Sequence, residues 1–581
     1  MQSRRTGSTR FPQALLLCVW TTLLTALSAA ASPQATPAAP TPASPAPATH
    51  PGLAEGFAKL QAGDAAGALA IVEPITAREP KNARAWRVLG LAYIRTKQYD
   101  RALAAYSTAL ELEPNNPTAL YNTGVVHALQ GQKDAAFEWL ARARSTGKVD
   151  ITQIDGDNDL VSLKGDVRFA ALLPTREEFA KPFVEPVKII REWDGEAAGD
   201  QFGWIARNIG DVDGDHIPDV VTSAPTKDIG GANAGRIYVY STRTGKLLWT
   251  ADGHPGDQLG TGVEGAGDTN RDGVPDVVAG APFGGKAYVY SGKDGHVLLT
   301  LTAEDKADQF GQHISSAGDV DHDGYADVIV GAPSNNAGGQ GAGRAYVYSG
   351  KDGHLLRTLT GEAAGDRFGS TVGGGGGRKQ SFLIVGAPGA GPGKHGRTYV
   401  YDGLSGKPKF VIDSDETGNA LGGMFVSVLG DVDGDKVPDI YASDWSNSAK
   451  GPSTGRVYVH SGKDGRRLLM LTGQTAGEGF GIGPATAGDV DHDGHADLII
   501  GSWQYAGAAP SGGRASLYSG KDGHLMKTFT GKVPGETFGF DAVGMGDVDG
   551  DGTIDFLITS AWSDIHGYRS GRMFIISSGI K

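Results

Sequence analysis

Cysteine is nearly absent: Cys18 is the single one in 581 residues. A disulfide framework and a thiolate metal site are therefore excluded from the body of the chain. Long apolar runs are also missing beyond residues 14–30, so no later segment is fit to cross a bilayer. Basic side chains are outnumbered, 53 Lys and Arg against 66 Asp and Glu, giving a formal net charge of −13. That balance argues against a protein that grips nucleic acid through its phosphates. Aromatics are ordinary at 8%, while glycine, with 89 residues, is in excess. The glycines follow no three-residue period, which excludes a collagen-like chain, and the apolar content excludes a disordered polar one.

Arg4, Arg5 and Arg10 precede the apolar run 14–30, and Ala29-Ala30-Ala31 closes it with small residues. This pattern predicts a secretory signal peptide over 1–31 and export to the periplasm, cell surface or extracellular space. An uncleaved anchor is the alternative, since 17 residues can just span a bilayer. Residues 32–51 are Ala/Pro/Thr-rich and read as a linker.

From residue 52 the sequence repeats every 34 residues: Gly56, Gly90 and Gly124 align, as do Ala68, Ala102 and Ala136. The middle copy carries Trp86, Leu89, Gly90, Tyr93, Tyr99, Ala102 and Pro114. It resembles the tetratricopeptide repeat, whose small residues let paired helices approach closely. The outer copies depart from it, with Lys59 and His127 in place of the tyrosine. Residues 52–180 are expected to form this helical domain, with 157–173 as a helix capping its last apolar face. Asp155, Asp157 and Asp159 read as a helix cap and solvated charge.

From residue 187 a second unit recurs with a period near 57, opening on Phe-Gly or Leu-Gly at 202–203, 259–260, 310–311, 368–369, 421–422, 480–481 and 538–539. Each copy holds four short strand patterns separated by turn residues, so the seven copies predict an all-β, seven-bladed propeller over 187–581. The seventh copy lacks a fourth strand, and residues 189–199 match the fourth strand and exit loop of a complete copy. An N-terminal strand is therefore expected to close the ring.

Six copies carry D-x-[DN]-x-D-x-x-x-D. The side chains are Asp211, Asp213, Asp215 and Asp219; Asp268, Asn270, Asp272 and Asp276; Asp319, Asp321, Asp323 and Asp327; Asp431, Asp433, Asp435 and Asp439; Asp489, Asp491, Asp493 and Asp497; and Asp547, Asp549, Asp551 and Asp555. With the position-7 carbonyls of Ile217, Val274, Tyr325, Val437, His495 and Thr553, each loop offers a hard cation its oxygen shell. Packed carboxylates repel unless a cation sits among them. Up to six calcium ions are expected, and none in blade 4, where Gly373–Gly377 and Arg378 replace the carboxylates. His216 and Lys436 stand at position 6, where glycine eases the bend, which predicts weaker sites in blades 1 and 5.

Phe-Gly, Gly-Ala-Pro (331–333, 386–388) and the aspartate loop together resemble the FG-GAP repeats of integrin α-subunit propellers. The resemblance implies calcium in loops between the first two strands of a blade and recognition of proteins or glycans on the opposite face. The integrin leg domains and membrane helix have no counterpart here, so integrin signalling does not carry over.

Arg236, Arg344, Arg397, Arg456, Arg514 and Arg572 open the third strand of six copies and read as scaffold, paired with the carboxylate before Phe-Gly, such as Asp308 or Glu536. Residues private to few blades are the functional candidates. Blades 5, 6 and 7 carry Trp445, Trp503 and Trp562 where blades 1 to 4 carry proline, with Tyr505, Asp564, His566, Tyr568 and Arg569 close by. Aromatic faces beside polar groups suit sugar stacking or a protein hot spot. Packing of the indoles between blades is the other reading. No H-E-x-x-H, G-x-S-x-G or private acid–base set occurs, so no catalytic residue is assigned and the chain is read as a non-enzyme. The expectation is an exported, calcium-stabilised binding or adhesion protein, its propeller taking a glycan or protein and its helical domain a protein partner. A calcium-dependent enzyme acting on polysaccharide and a purely structural scaffold stay open.

Overall fold

The computed structural model describes residues 51–377 and 380–581. The signal-peptide and linker readings and Arg378 lie outside the described residues. The chain forms two compact units, one ending at Val149 but taking in Asp157–Leu172, the other comprising Asp150–Gly156 and Leu173–Lys581. The repeat period assigned everything to residue 180 to the helical domain. Instead, Arg572 donates to the Phe179 carbonyl at 3.1 Å, and 173–180 belong with the β unit.

The first unit is three helical hairpins: α1 Pro51–Gln61 with α2 Ala65–Arg78, α3 Ala83–Arg95 with α4 Tyr99–Leu112, and α5 Pro117–Leu129 with α6 Lys133–Ser145. Asp64, Asn82 and Asn116 cap α2, α3 and α5 by accepting from main-chain N–H groups three residues on. The aligned glycines sit where helices touch. A Cβ on Gly90 would lie 2.7 Å from the Tyr106 ring, and one on Gly124 2.8 Å from Leu140. The expected capping helix is broken into a 3₁₀ turn, Asn158–Leu163, and one helical turn, Val167–Ala170. Gly165, followed by Asp166 as a new N-cap, interrupts it. Leu160 and Leu163 are nonetheless fully buried, and Asp157 caps the 3₁₀ turn as expected.

The second unit is a seven-bladed propeller of antiparallel sheets. Blade 3 shows the plan: Ile314–Gly318, Asp327–Ala332, Arg344–Tyr348 and Leu355–Thr360 pair in sequence order. First strands neighbour one another in blade order, including those of blades 7 and 1. Second strands are buried along their whole length, because sheets cover both faces, and so they read as continuous apolar runs rather than alternating ones. The fourth strand of blade 7 is Ile189–Asp194, which pairs with Arg572–Ser577. The ring is thus closed by the N-terminal strand. In blade 6 the first strand is split into Phe480–Ile482 and Thr486–Gly488, since Pro484 has no N–H to give the ladder.

Both repeat motifs are explained by backbone contact between blades. The Phe-Gly aromatic is buried and meets a third-strand tyrosine edge-on, at 5.3 Å for Phe202–Tyr238 and 5.8 Å for Phe310–Tyr346. The glycine after it takes a positive φ and turns its carbonyl onto the glycine of the preceding blade's Gly-Ala-Pro. A Cβ on Gly331 would lie 2.1 Å from the Gly369 oxygen, whereas one on Gly265 would meet nothing closer than 3.6 Å. Neither has a positive φ, so contact alone separates them. Gly331→Ala should cost about 1–3 kcal/mol in denaturant melts, with Gly265→Ala within about 1 kcal/mol of the parent.

Candidate functional site

The aspartate loops join first strands to second strands, and a shared hydrogen-bond plan shapes them. The position-9 carboxylate is buried and accepts from the position-2 N–H, as Asp219 does from Val212 at 2.9 Å. Its other oxygen takes an N–H from the turn between strands three and four, 3.0 Å from Gly350 to Asp327. Position 1 accepts from several main-chain donors: Gly214, Asp215 and His216 all point at Asp211. Burial opposes the charge of Asp211, yet those donors hold its carboxyl below the usual range. Position 5 accepts from the position-7 N–H, as in Asp215 and Ile217.

In five loops three carboxylates converge so that one oxygen from each lies within 4.8 Å of the others: Asp211, Asp213 and Asp219; Asp319, Asp321 and Asp327; Asp431, Asp433 and Asp439; Asp489, Asp491 and Asp493; Asp547, Asp549 and Asp551. In blade 2, Asn270 at position 3 turns its amide toward Asp272. In blade 4 the strand pairing runs down to Gly377 and Gln380, leaving no acidic loop. Burial, reinforced by neighbouring carboxylates, raises Asp327 and Asp439 to about 6 and Asp555 to about 7. Asp319 Oδ1 and Asp555 Oδ1 are buried without any hydrogen-bond donor. Oxygen-only donors, mutual repulsion and orphaned oxygens fit a hard divalent cation.

Position 6 is left-handed in every loop, with φ 68° at His216 and 69° at Lys436. Position 4 is left-handed as well, and there Arg271, His322 and His492 bear the strain while blades 1 and 5 have glycine. Blades 1, 2, 3, 5 and 6 therefore each place one side chain in that region, and position 6 alone does not rank blades 1 and 5 last. Basic side chains also reach the loops: Arg243 to Asp215 at 2.9 Å, Arg466 to Asp433 at 2.6 Å, and Lys188 to Asp549 and Asp551 at 2.6 and 2.7 Å. Strand three–four turns supply the two arginines, which puts those turns on the face of the aspartate loops.

On the opposite face the tryptophans pack together. Trp503 is 7% exposed and meets Trp562 edge-on at 4.9 Å, Phe540 at 5.5 Å and Trp445 at 6.4 Å; Trp204 adds to Phe540 at 5.0 Å. Trp445 and Trp562 keep part of their surface. The polar candidates are tied to neighbours: Arg569 lies over Trp562 at 4.1 Å, Arg514 over Tyr505 at 3.9 Å, and His566 sits 3.5 Å from Asp194. Asp564 accepts from the Arg569 N–H at 2.7 Å, and its Oδ2 is buried without a partner. Burial, with Asp150 and Asp155 nearby, lifts it to about 7, and Tyr568 is raised by burial too.

Family comparisons agree with this geometry. FG-GAP repeat models match 202–240 and 310–348, an FG-GAP-like repeat matches 431–500, and tetratricopeptide repeat models match 59–108 and 90–131. FG-GAP and tetratricopeptide repeats are both present in this chain. Similar curated proteins include human integrin alpha-6, 30% identical over 188 residues, and Drosophila melanogaster integrin alpha-PS5, 31% over 184. Xenopus laevis integrin alpha-4 is 31% identical over 165 residues. These matches take in 26–30% of this chain and 15–17% of each integrin. No helix among the described residues is long and apolar enough to cross a membrane.

Two further findings concern the FG-GAP unit. The strand-three arginines do not share the expected partner. Arg236 and Arg397 pair with the cross-strand Asp252 and Asp413. Where that residue is threonine, a carboxylate from the preceding blade's exit is used: Glu304 for Arg344 at 2.8 Å, and Asp415 for Arg456. Asp308 instead receives the Asn335 amide, while Glu536 does reach Arg572 at 3.3 Å. The first strands also carry Arg207, Glu264, His313 and Asp541 around a cavity of about 330 Å³ at the propeller's centre, with Asp541 bonded to Arg207 just behind its wall. The loops drew the sequence reading, and these four were missed.

Trp503→Ala should destabilise the propeller by about 3–5 kcal/mol in denaturant melts. Asp564 sits above its ordinary 3.8, so folding favours its protonated form and its contribution is lost as pH rises from about 4 to 7. Asp564→Asn should therefore melt above the parent at pH 8, with the gap closing by pH 4.

Proposed function

We propose that this chain is an exported, calcium-stabilised binding or adhesion protein rather than an enzyme. Its propeller would recognise a glycan or protein on the face opposite the aspartate loops, and its helical repeats would hold a protein partner. The observation that carries the reading is the fivefold convergence of three carboxylates within 4.8 Å at one repeat position. Such a cluster is costly without a cation, and its recurrence makes the cost common to the whole ring.

Calcium would be held by positions 1, 3, 5 and 9 with the position-7 carbonyl, and would supply charge neutralisation that locks each loop onto its sheet. Because the carboxylates that cluster are repeated, they are committed to the scaffold, and none is left over for acid–base work. Recognition then falls to groups private to blades 5 to 7: the partly exposed edges of Trp445 and Trp562, with Tyr505, His566, Tyr568 and Arg569 around them. Integrin alpha relatives and both repeat types point the same way, toward binding of other molecules.

Each site held at 100 times its dissociation constant adds about 2.7 kcal/mol. Chelation should lower the melting temperature by at least several degrees, and calcium, added back, should restore it with up to six ions per chain. Asp319→Ala should remove one ion from that count. A melting temperature indifferent to chelator and calcium would overturn the reading. Glycan-array screening with and without chelator then separates ligand classes: calcium-dependent retention of a sugar supports a lectin, and turnover of a polysaccharide would favour an enzyme.

A further inference from the structure

The cavity at the centre of the propeller is lined by first strands of all seven blades. A repeat scaffold needs only small or apolar residues there. Four positions before the aspartate loop, blades 3, 4, 5, 6 and 7 carry Ser315, Gly373, Ser427, Ala485 and Val543, but blades 1 and 2 carry Arg207 and Glu264. Six positions before it, blades 3 and 7 carry His313 and Asp541, where the others have Ile, Gly, Thr or Phe. These departures are private to single blades and meet at one place.

Their charges do not balance. Arg207 donates Nε to Glu264 at 2.7 Å and Nη1 to Asp541 and to the Ala206 carbonyl. Asp541 otherwise accepts from the Ala206 and Ala542 N–H groups, and Glu264 from the Gly265 N–H. Both carboxylates face donors only, so nothing asks either to hold a proton for a hydrogen bond. Two anions thus share one guanidinium. His313 does not make up the difference: burial, together with repulsion from Arg207, lowers it to about 4 and keeps it neutral. Asp541 is 1% exposed, while Glu264 keeps 24% of its side-chain surface although it lies deep in the unit. That surface faces the cavity, so the surplus negative charge is the part of the group that a ligand would meet.

The rest of the wall offers acceptors more than donors. The Ser316 hydroxyl is spent on the Ala266 carbonyl, Ser427 on Pro484, and the Asn208 amide on Gly544. An anion would meet an excess of negative charge, and a neutral polyol would find few donors left. An ammonium brings three donors and a positive charge. The volume, about 330 Å³, is at the lower end of small-molecule sites, which begin at roughly 300 Å³.

We propose that this central cavity binds a small organic cation, a primary amine of monosaccharide size or less, with Glu264 receiving its ammonium group. The site is separate from the aspartate loops and from the tryptophan face. The test is isothermal titration calorimetry on the full chain in saturating calcium, so that the loops are filled. Ethanolamine and glucosamine are the probes, with ethylene glycol and N-acetylglucosamine as their neutral counterparts. The expected result is saturable one-to-one binding of both amines, at least tenfold weaker binding of the neutral pair, and at least a tenfold loss for the amines in Glu264→Gln. Equal binding of glucosamine and its N-acetyl form, amine binding unchanged in Glu264→Gln, or no amine binding by the parent at millimolar concentration would each overturn it. Should Glu264→Gln fail to fold, the amine and neutral pairs on the parent chain decide alone.

Discussion

The propeller depends on one contact repeated around the ring: an α-carbon without a side chain pressed against the carbonyl of the next blade. A Cβ on Gly280 would lie 1.8 Å from the Gly311 oxygen, on Gly386 2.0 Å from that of Gly422, and on Gly501 2.0 Å from that of Gly539. No other residue fits such a gap. Where blade 5 has Ser443 instead, its hydroxyl donates to the Gly481 carbonyl, so the carbonyl is still met, by a hydrogen bond. This spacing fixes the angle between sheets. It brings the first strands close enough to enclose the central cavity, and it sets every aspartate loop at the same height on one face.

Charge is then distributed by radius. At the centre, Arg207 joins blades 7, 1 and 2 through Asp541 and Glu264. On one face, acidic loops collect carboxylates whose burial and mutual repulsion raise the position-9 group. At the periphery, the strand-three arginines pair with cross-strand aspartates or reach back to the preceding blade's exit. The net acidity seen in composition is therefore not a diffuse surface property but a sum over repeated loops, which is why a bound divalent cation would relieve most of it.

Repetition made the scaffold legible and concealed what departs from it. The seven Phe-Gly openings counted the blades, the unmatched residues 189–199 disclosed the closing strand, and the five-glycine run 373–377 marked the blade without an acidic loop. Side-chain direction was less accessible. The indoles of blades 5 to 7 align in sequence, but whether they face solvent is set by their meeting Phe540 and Trp204, which follow the Phe-Gly openings of other blades. The partner of each strand-three arginine turns on whether the cross-strand residue is aspartate or threonine, a pairing register that no spacing along the chain displays. The capping segment after Asp157 has the apolar pattern of a helix, yet Gly165 and Asp166 end one turn and start another. Arg207, Glu264, His313 and Asp541 did carry a signal, since each breaks the repeat at an aligned position. Finding them required comparing strands as well as loops.

Blade 7 shows why departures gather where they do. In the other six blades a turn delivers the fourth strand to the third, so chain connectivity brings the two together. In blade 7 the fourth strand arrives from about 380 residues away in sequence, and closing so long a loop costs entropy that local contacts must offset. The structure places ion pairs at three radii there. Arg572 is 3% exposed and meets Glu192, Asp194 and Glu536, joining the strand to its neighbour. Lys188, just before the strand, reaches Asp549 and Asp551 in the blade's own aspartate loop. Arg207 and Asp541 bridge blades 1 and 7 at the centre. With no disulfide available, a buried guanidinium between carboxylates is the strongest non-covalent tie this chain can place at a junction, although a buried pair is costly if either member is lost. The same economy explains why the central charges can serve two purposes: Asp541 and Arg207 hold the seam, and the second carboxylate, Glu264, is the one that the seam does not consume.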